Sequence, residues 1–106
     1  MSYRYMRTIV MFDLPTLTLG DLREYRAFRR FLIKNGFIML QESIYTKLSL
    51  NAVGAEQVKK LVKKHLPKDG LVQMLTITEK QFASMELLLG KSKDTYCDSD
   101  KRILML

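Results

Sequence analysis

The sequence predicts an α+β domain, a four-stranded antiparallel sheet that carries its two main helices on one face. Two observations predict this class. The segments follow one another as strand, helix, strand, strand, helix, strand, and each helical segment has one apolar stripe. With 106 residues the chain has room for a single domain, 1–106. We expect its core within about residues 1–78 and a tail over about 79–106 that serves dimer or partner contacts.

The first strand is predicted over residues 3–13, YRYMRTIVMFD, where β-branched and aromatic residues are frequent. Because side chains alternate along a strand, Val10 and Phe12 share one face while Met11 and Asp13 share the other. Both faces are substantially apolar, so one should carry the helices and the other needs a cover of its own. The strand ends on the carboxylate of Asp13.

The first helix is predicted over residues 21–35, DLREYRAFRRFLIKN, with Gly36 as its stop. Its apolar residues recur at helical spacing and form a buried stripe of Leu22, Tyr25, Phe28, Phe31 and Leu32. Beside it lies a second stripe, named the basic stripe below, which consists of Arg23, Arg26, Arg30 and Lys34. A second helix is expected over 52–66, capped by Asn51.

Two strand-like runs, 37–41 and 42–48, predict a hairpin whose turn lacks the usual Asn-Gly signal. The run LVQMLTIT, 71–78, predicts the fourth strand. The resulting order of strands and helices is that of the split βαβ, or ferredoxin-like, fold.

The tail should add further structure to this core. Thr78 and Gln81 have the spacing of a capping box, which predicts a short helix over about 79–88. A polar loop follows over 90–102, and the apolar residues 103–106 predict an edge strand of this sheet or of a partner's sheet.

The helices can cover only one face of the sheet, which leaves Ile9 and Met11 on an open face. Apolar patches of this kind mark interfaces, so we predict a two-fold homodimer packed sheet to sheet. Two copies of Asp13 could then approach each other, and a hard divalent cation such as Mg²⁺ would relieve their repulsion. The competing interpretation of Asp13 is a turn or cap residue ahead of Pro15.

Composition favours a polyanionic partner. Lysine and arginine number 18 against 11 acidic residues, a net charge of +7, and nucleic acid is the partner that this excess indicates. The alternative is a basic surface without a partner. The single cysteine, Cys97, excludes an intrachain disulfide and lacks the neighbours of a zinc site. With no signal peptide and no apolar run of membrane-spanning length, we expect a cytoplasmic protein with no membrane association.

Four segments together resemble a known family: MSYRYMRTIVMFDLPT, FRRFLIKNGFIMLQESIYTKL, LTITEKQFASM and DTYCD. They are similar to the second of the two universal CRISPR-associated adaptation proteins, in particular to the short forms that accompany type II systems. The resemblance covers nearly the whole chain. It implies a ferredoxin-like homodimer with Mg²⁺-dependent endonuclease activity on RNA or double-stranded DNA, in which Asp13 is the catalytic aspartate and metal ligand. It further implies that the dimer bridges two integrase dimers in the complex that inserts new spacers.

The resemblance extends to a Gln/Ser/aromatic element of the hairpin, which Gln41, Ser43 and Tyr45 match. It makes Ser43 a catalytic candidate, whose hydroxyl would hydrogen-bond near the catalytic water or a phosphate. A solvent-side strand serine beside a core tyrosine is the equal alternative. The only histidine, His65, is expected to pack or cap at the end of the second helix.

Two functions of different classes follow. The first is a nuclease in which one Asp13 from each subunit holds Mg²⁺. The second, which we favour because one carboxylate per subunit is a sparse metal site, is a scaffold that holds a short DNA duplex. Its candidate phosphate contacts are Arg4, Arg7 and the basic stripe, Arg23, Arg26, Arg30 and Lys34. For each of these residues the alternative is an ordinary solvated position.

A third interpretation keeps the fold and drops CRISPR. Ferredoxin-like domains also act as single-stranded RNA-binding modules, which stack bases on aromatic side chains exposed on the sheet. The glycine-aromatic pattern of those modules is absent from this sequence, and dimerisation accounts better for an open sheet face.

Overall fold

The computed structural model describes residues 5–90 of the chain. The order of elements is β1 (Met6–Asp13), α1 (Leu19–Lys34), β2 (Ile38–Gln41), β3 (Ile44–Ser49), α2 (Ala52–Lys63), β4 (Leu71–Thr78) and α3 (Glu79–Ala83). All strand pairs are antiparallel and the sheet order is β2-β3-β1-β4. The α+β, ferredoxin-like prediction is therefore confirmed. Arg4, the loop at 91–102 and the strand predicted over 103–106 lie outside the described residues.

The core lies between the sheet and the first two helices. Phe12 at the centre of the sheet packs edge-on against Phe28 of α1, with ring centroids 5.2 Å apart, and stacks on Tyr45 of β3 at 5.8 Å. The remaining buried members of this cluster are Val10, Leu14, Leu32, Phe37 and Val62. The helical stripe that the sequence predicted for α1 thus faces the core, because Phe28 and Leu32 are buried and Tyr25 and Phe31 pack against the buried cluster.

Local caps set the helix ends. Thr18 caps α1, since the Asp21 backbone N–H donates to its hydroxyl at 3.0 Å and its own N–H donates back to the Asp21 carboxylate at 3.1 Å. The helix accordingly begins at Leu19, two residues before the predicted start. Asn51 caps α2 as predicted, through a 2.9 Å bond from the Gly54 N–H.

Helix α3 forms at the predicted capping box, where the Gln81 N–H donates to the Thr78 hydroxyl at 3.0 Å. The prediction that it continues to residue 88 is wrong, because α3 ends at Ala83. Met85 and Leu88 are 56% and 86% exposed, so within the described residues they bury too little surface to hold further helical turns.

The open sheet face is the side of the sheet away from α1 and α2. The prediction that Ile9 is exposed there is wrong: Ile9 retains only 8% of its accessible surface and Met11 is half-buried. Strand β1 is central, so Thr46 of β3 and Leu75 of β4 flank Ile9 on either side. The exposed apolar area comes from the three other strands instead, at Ile38, Leu48, Leu71 and Leu75, which are between 42% and 67% exposed.

No helix in residues 5–90 combines the length and the apolar character needed to cross a bilayer.

Candidate nucleic-acid interface and strand-end acid

Asp13 is the last residue of β1 and is exposed to solvent. Strand alternation places it on the same side of the sheet as Ile9 and Met11, which is the open sheet face. Its register partner is Leu71, the first residue of β4. On the other flank, the Phe12 N–H donates to the Ser43 carbonyl at 3.0 Å. The acid therefore stands between the β2–β3 turn and the start of β4.

Gly70 fixes the backbone beside this acid. Its φ of +103° is a conformation that side chains disfavour, and a Cβ there would lie 2.8 Å from the Asp13 carbonyl oxygen and 2.7 Å from Leu14 Cδ2. The chain before β4 consequently packs directly against the Asp13–Leu14 peptide. This role of Gly70 was not predicted, although a glycine immediately before a strand is a signal of a close backbone approach.

Ser43 lies in the turn between β2 and β3 and not in the strand-like run 42–48, where it was predicted. Its φ is +66°, the one positive value among the described non-glycine residues. The turn therefore forms without glycine. The structure brings Ser43 next to the end of β1 through its backbone carbonyl, and its catalytic role stays a prediction.

The two other residues of the Gln/Ser/aromatic element, Gln41 and Tyr45, differ in their exposure to solvent. Gln41 is exposed at the end of β2, whereas Tyr45 is buried and its hydroxyl accepts a 2.8 Å hydrogen bond from Arg29 Nε. Sequence reasoning did not single out Arg29, which lies next to the basic stripe but bonds to the core tyrosine instead.

The basic stripe lies on the outer side of α1. All four of its residues, Arg23, Arg26, Arg30 and Lys34, are exposed. Within residues 5–90, none of them forms a salt bridge. Their charges are therefore available to an external anion, and their spacing keeps them on one side of the helix.

Arg7 is differently placed. Its guanidinium donates from Nε to Glu79 Oε1 at 2.8 Å and from Nη2 to Glu79 Oε2 at 2.6 Å. It also lies 4.4 Å from the centroid of the Phe82 ring. These contacts join α3 to the open sheet face. The nucleic-acid contact predicted for Arg7 stays a prediction. To contact a phosphate, the guanidinium would have to break its hydrogen bonds to Glu79 or use a different N–H group.

The donor set at Asp13 suits a hard cation only in part. Among residues 5–90 no three histidine, cysteine, aspartate or glutamate side chains come together as a metal site. A carboxylate oxygen is a ligand type that Mg²⁺ accepts, and Mg²⁺ commonly keeps most of its waters. At the end of β1 one chain thus offers the carboxylate of Asp13 as a protein ligand.

Together these features define a ferredoxin-like protein with a cationic outer helix and one exposed acid at the end of its central strand. The chain belongs to the family described as CRISPR associated protein Cas2, whose sequence model matches residues 6–85. This confirms the resemblance found in the sequence.

Relatives show the same likeness over whole chains. A protein of Treponema denticola named CRISPR-associated endoribonuclease Cas2 is 48% identical over 101 residues, which are 95% of this chain and 100% of the relative. Proteins of the same name from Streptococcus mutans and Ligilactobacillus salivarius are 45% and 43% identical, each over 95% of this chain and over 93% and 100% of their own lengths.

Proposed function

We propose that this chain acts in CRISPR adaptation as a homodimeric scaffold that holds a short DNA duplex and bridges integrase subunits. The observation that carries the proposal is the basic stripe, a row of four exposed cations without salt bridges to the described residues. From Arg23 to Lys34 the helix rises about 16 Å. A DNA duplex presents about ten phosphate charges over that length, so the stripe can contact several of them.

The binding should be independent of sequence. Arginine grips phosphate oxygens with two parallel hydrogen bonds, which position the backbone but do not read bases. Each neutralised phosphate releases condensed counterions, so the affinity should fall steeply as salt increases. A scaffold for foreign DNA fragments of any sequence needs these properties.

The open sheet face supports the homodimer. Leu75 and Leu71 of β4 are 50% and 53% exposed, and Leu48 on the opposite flank is 42% exposed. Apolar area of this kind on a folded domain is buried favourably against a second copy. Because Asp13 ends β1 on this same face, two-fold pairing would bring two acids toward one another.

A second candidate function is Mg²⁺-dependent hydrolysis of a phosphodiester in RNA or double-stranded DNA. It is favoured by the exposure of Asp13 and by the relatives, which are named endoribonucleases. Bound Mg²⁺ would supply an activated water and stabilise the charge that develops on the phosphate. In this chain Asp13 would hold the ion with its counterpart from the partner, and the Ser43 turn would lie beside the substrate phosphate.

The scaffold proposal is tested by replacing Arg23, Arg26 and Arg30 with Glu and measuring duplex affinity by fluorescence anisotropy over a range of salt. We expect weaker binding and a slope of log affinity against log salt that is smaller by about three. The matched control reverses three exposed lysines of the α2 end, Lys60, Lys63 and Lys64, with the same change in net charge. Equal losses in both variants would show that net charge, and not the basic stripe, governs binding.

A further inference from the structure

Phe31 of α1 and His65, two residues after α2, form an aromatic stack between the two helices. Their ring centroids are 4.4 Å apart and their planes differ by 17°. The His65 Nδ1 lies 3.0 Å from the Leu61 carbonyl oxygen, which can only accept, so Nδ1 carries the proton of this hydrogen bond. The prediction that His65 packs or caps at the helix end is confirmed. The stack and the hydrogen bond together hold the orientation of an exposed imidazole.

The stack lines a cleft between α1 and α2 with a volume of about 790 Å³. Its apolar lining residues besides the stack are Ala27, Ile33 and Leu61. Arg30 and Lys34, the last two members of the basic stripe, also line the cleft, and no carboxylate is found among its described lining residues. An aromatic surface in an apolar cleft therefore adjoins two cations that are free to meet phosphates.

We propose that the Phe31–His65 stack is a platform for one unpaired nucleobase of a nucleic-acid strand whose phosphates lie on Arg30 and Lys34. The inference rests on the proposed nucleic-acid function and adds a ligand subsite to it. Every base offers a π face, so stacking tolerates any sequence, and the adjoining cations hold the backbone. A base inside a duplex is stacked on its neighbours and cannot use the platform, so the ligand is a single-stranded stretch, an overhang or a frayed end.

The positive charge of Arg30 and Lys34 favours a nucleobase with its phosphate over the apolar side chain of a partner protein as the ligand of this cleft. An apolar side chain of a peptide would fit the apolar lining of the cleft. It would leave Arg30 and Lys34 without anions unless the peptide also carried acidic residues at matching positions. A polynucleotide supplies one phosphate for every base. The shared chemistry of RNA and DNA strands is sufficient for stacking, so the platform itself does not require a 2′-hydroxyl.

The test uses the full chain and four probes of equal length: single-stranded RNA, single-stranded DNA, a blunt DNA duplex, and single strands carrying one 2-aminopurine. The informative variants are His65→Ala, which removes the outer ring, and His65→Phe, which keeps a ring without its polar atoms. Gln57→Ala, an exposed position of α2 outside the cleft, is the matched control. Stacking of 2-aminopurine is read from the quenching of its fluorescence, and affinity from anisotropy.

We expect His65→Ala to weaken single-strand binding roughly tenfold or more and to abolish the protein-dependent quenching. His65→Phe should retain both, and the blunt duplex should bind within twofold of the unmodified protein in every variant. Comparing the RNA and DNA strands shows which of the two the platform prefers.

Three results would overturn the platform: no single-strand binding by the unmodified protein, unchanged single-strand affinity in His65→Ala, or an equal loss for the duplex. A loss in His65→Ala confined to integrase binding would assign the cleft to a protein segment instead. The scaffold proposal fails separately, if the triple glutamate variant of the basic stripe leaves duplex affinity unchanged.

Discussion

Arg7 and Glu79, which are 72 positions apart in the chain, meet in a bidentate ion pair with N–O distances of 2.8 and 2.6 Å. The pair joins the central strand to the first residue of α3, and the Phe82 ring stacks over the guanidinium. Planar guanidinium and carboxylate groups match in this geometry, which makes the pair stronger than an ordinary surface salt bridge. Together with the hydrogen bond from the Glu79 N–H to the Tyr5 carbonyl at 2.9 Å, the contact holds α3 beside the Arg7 end of the open sheet face.

The ion pair predicts a pH-dependent stability. Arg7 holds the pKa of Glu79 below its ordinary value of 4.5, chiefly by hydrogen bonding to the charged carboxylate. A carboxylate whose pKa is lower in the folded than in the unfolded state stabilises the protein at pH values above the unfolded-state pKa. This contribution is lost as the pH falls through the folded-state pKa. We expect Glu79→Gln to lower the free energy of unfolding by about 0.5–1 kcal/mol at pH 7 and to have no effect near pH 2. Urea denaturation at both pH values measures this.

Glu56→Gln is the control for that experiment, since Glu56 is exposed on α2 and forms no salt bridge within the described residues. A difference between Glu79→Gln and the unmodified protein that persists at low pH would show that the amide disturbs packing and would contradict the charge argument.

Asp13 separates the two proposed functions. We expect Asp13→Ala to abolish Mg²⁺-dependent cleavage of RNA and DNA, because it removes the one carboxylate at the end of β1. Duplex affinity should stay within twofold, since the basic stripe lies on α1. Gel assays of cleavage and anisotropy of binding measure the two effects. Asp69→Ala, an exposed acid of the neighbouring loop, is the control.

The ranking of the two functions depends on the same variant in cells. If Asp13→Ala preserves assembly with the integrase but prevents spacer acquisition, the hydrolytic function, and not the scaffold, is the principal one.

Gly70 positions Asp13 through the backbone. Its φ of +103° and the 2.8 Å approach of a built Cβ to the Asp13 carbonyl oxygen leave no room for a side chain. We expect Gly70→Ala to destabilise the fold by about 1–3 kcal/mol and to reduce cleavage by more than the loss of folded protein explains. Thermal unfolding gives the folded fraction, and kcat per folded molecule gives the second effect.

Gly36→Ala is the matched control for this substitution. Gly36 also has a positive φ, +90°, but its Cβ would meet the terminal atoms of the Lys47 side chain, which can move aside. The Gly36→Ala variant should therefore be less stable, but its kcat per folded molecule should equal that of the unmodified protein. Equal kcat per folded molecule in the two variants would show that Gly70 does not position Asp13 for cleavage.

The proposed homodimer would associate through the open sheet face. Leu75 is half exposed and pairs in register with Ile9 near the middle of that face. We expect Leu75→Lys to convert a dimer into a monomer, because the lysine charge would have to be buried between two sheets. Sedimentation velocity measures the change, and far-UV circular dichroism confirms that the monomer is folded.

Leu17→Lys serves as the control, since Leu17 is 93% exposed in the loop before α1. A monomeric unmodified protein, or a Leu75→Lys variant that remains dimeric, would show that the subunits do not associate through this face.

The order of the elements and several of their ends follow from the sequence alone, although α2 ends at Lys63 and not at the predicted residue 66. Strand β4 has the predicted bounds, and the caps at Asn51 and Thr78 form where they were expected. These features depend on residues within three or four positions of one another, so local spacing is sufficient to predict them. The acid at the end of β1 was visible for the same reason.

Which distant groups meet depends on how the whole elements pack. Glu79 as the partner of Arg7, Gly70 beneath the Asp13 peptide and His65 against Phe31 all join residues that chain folding brings together. Burial at Ile9 also depended on neighbours across the sheet and not on its own strand. A linear pattern specifies which face a side chain takes, but its partner is set by the packing of whole elements, which sums many weak contacts over the domain.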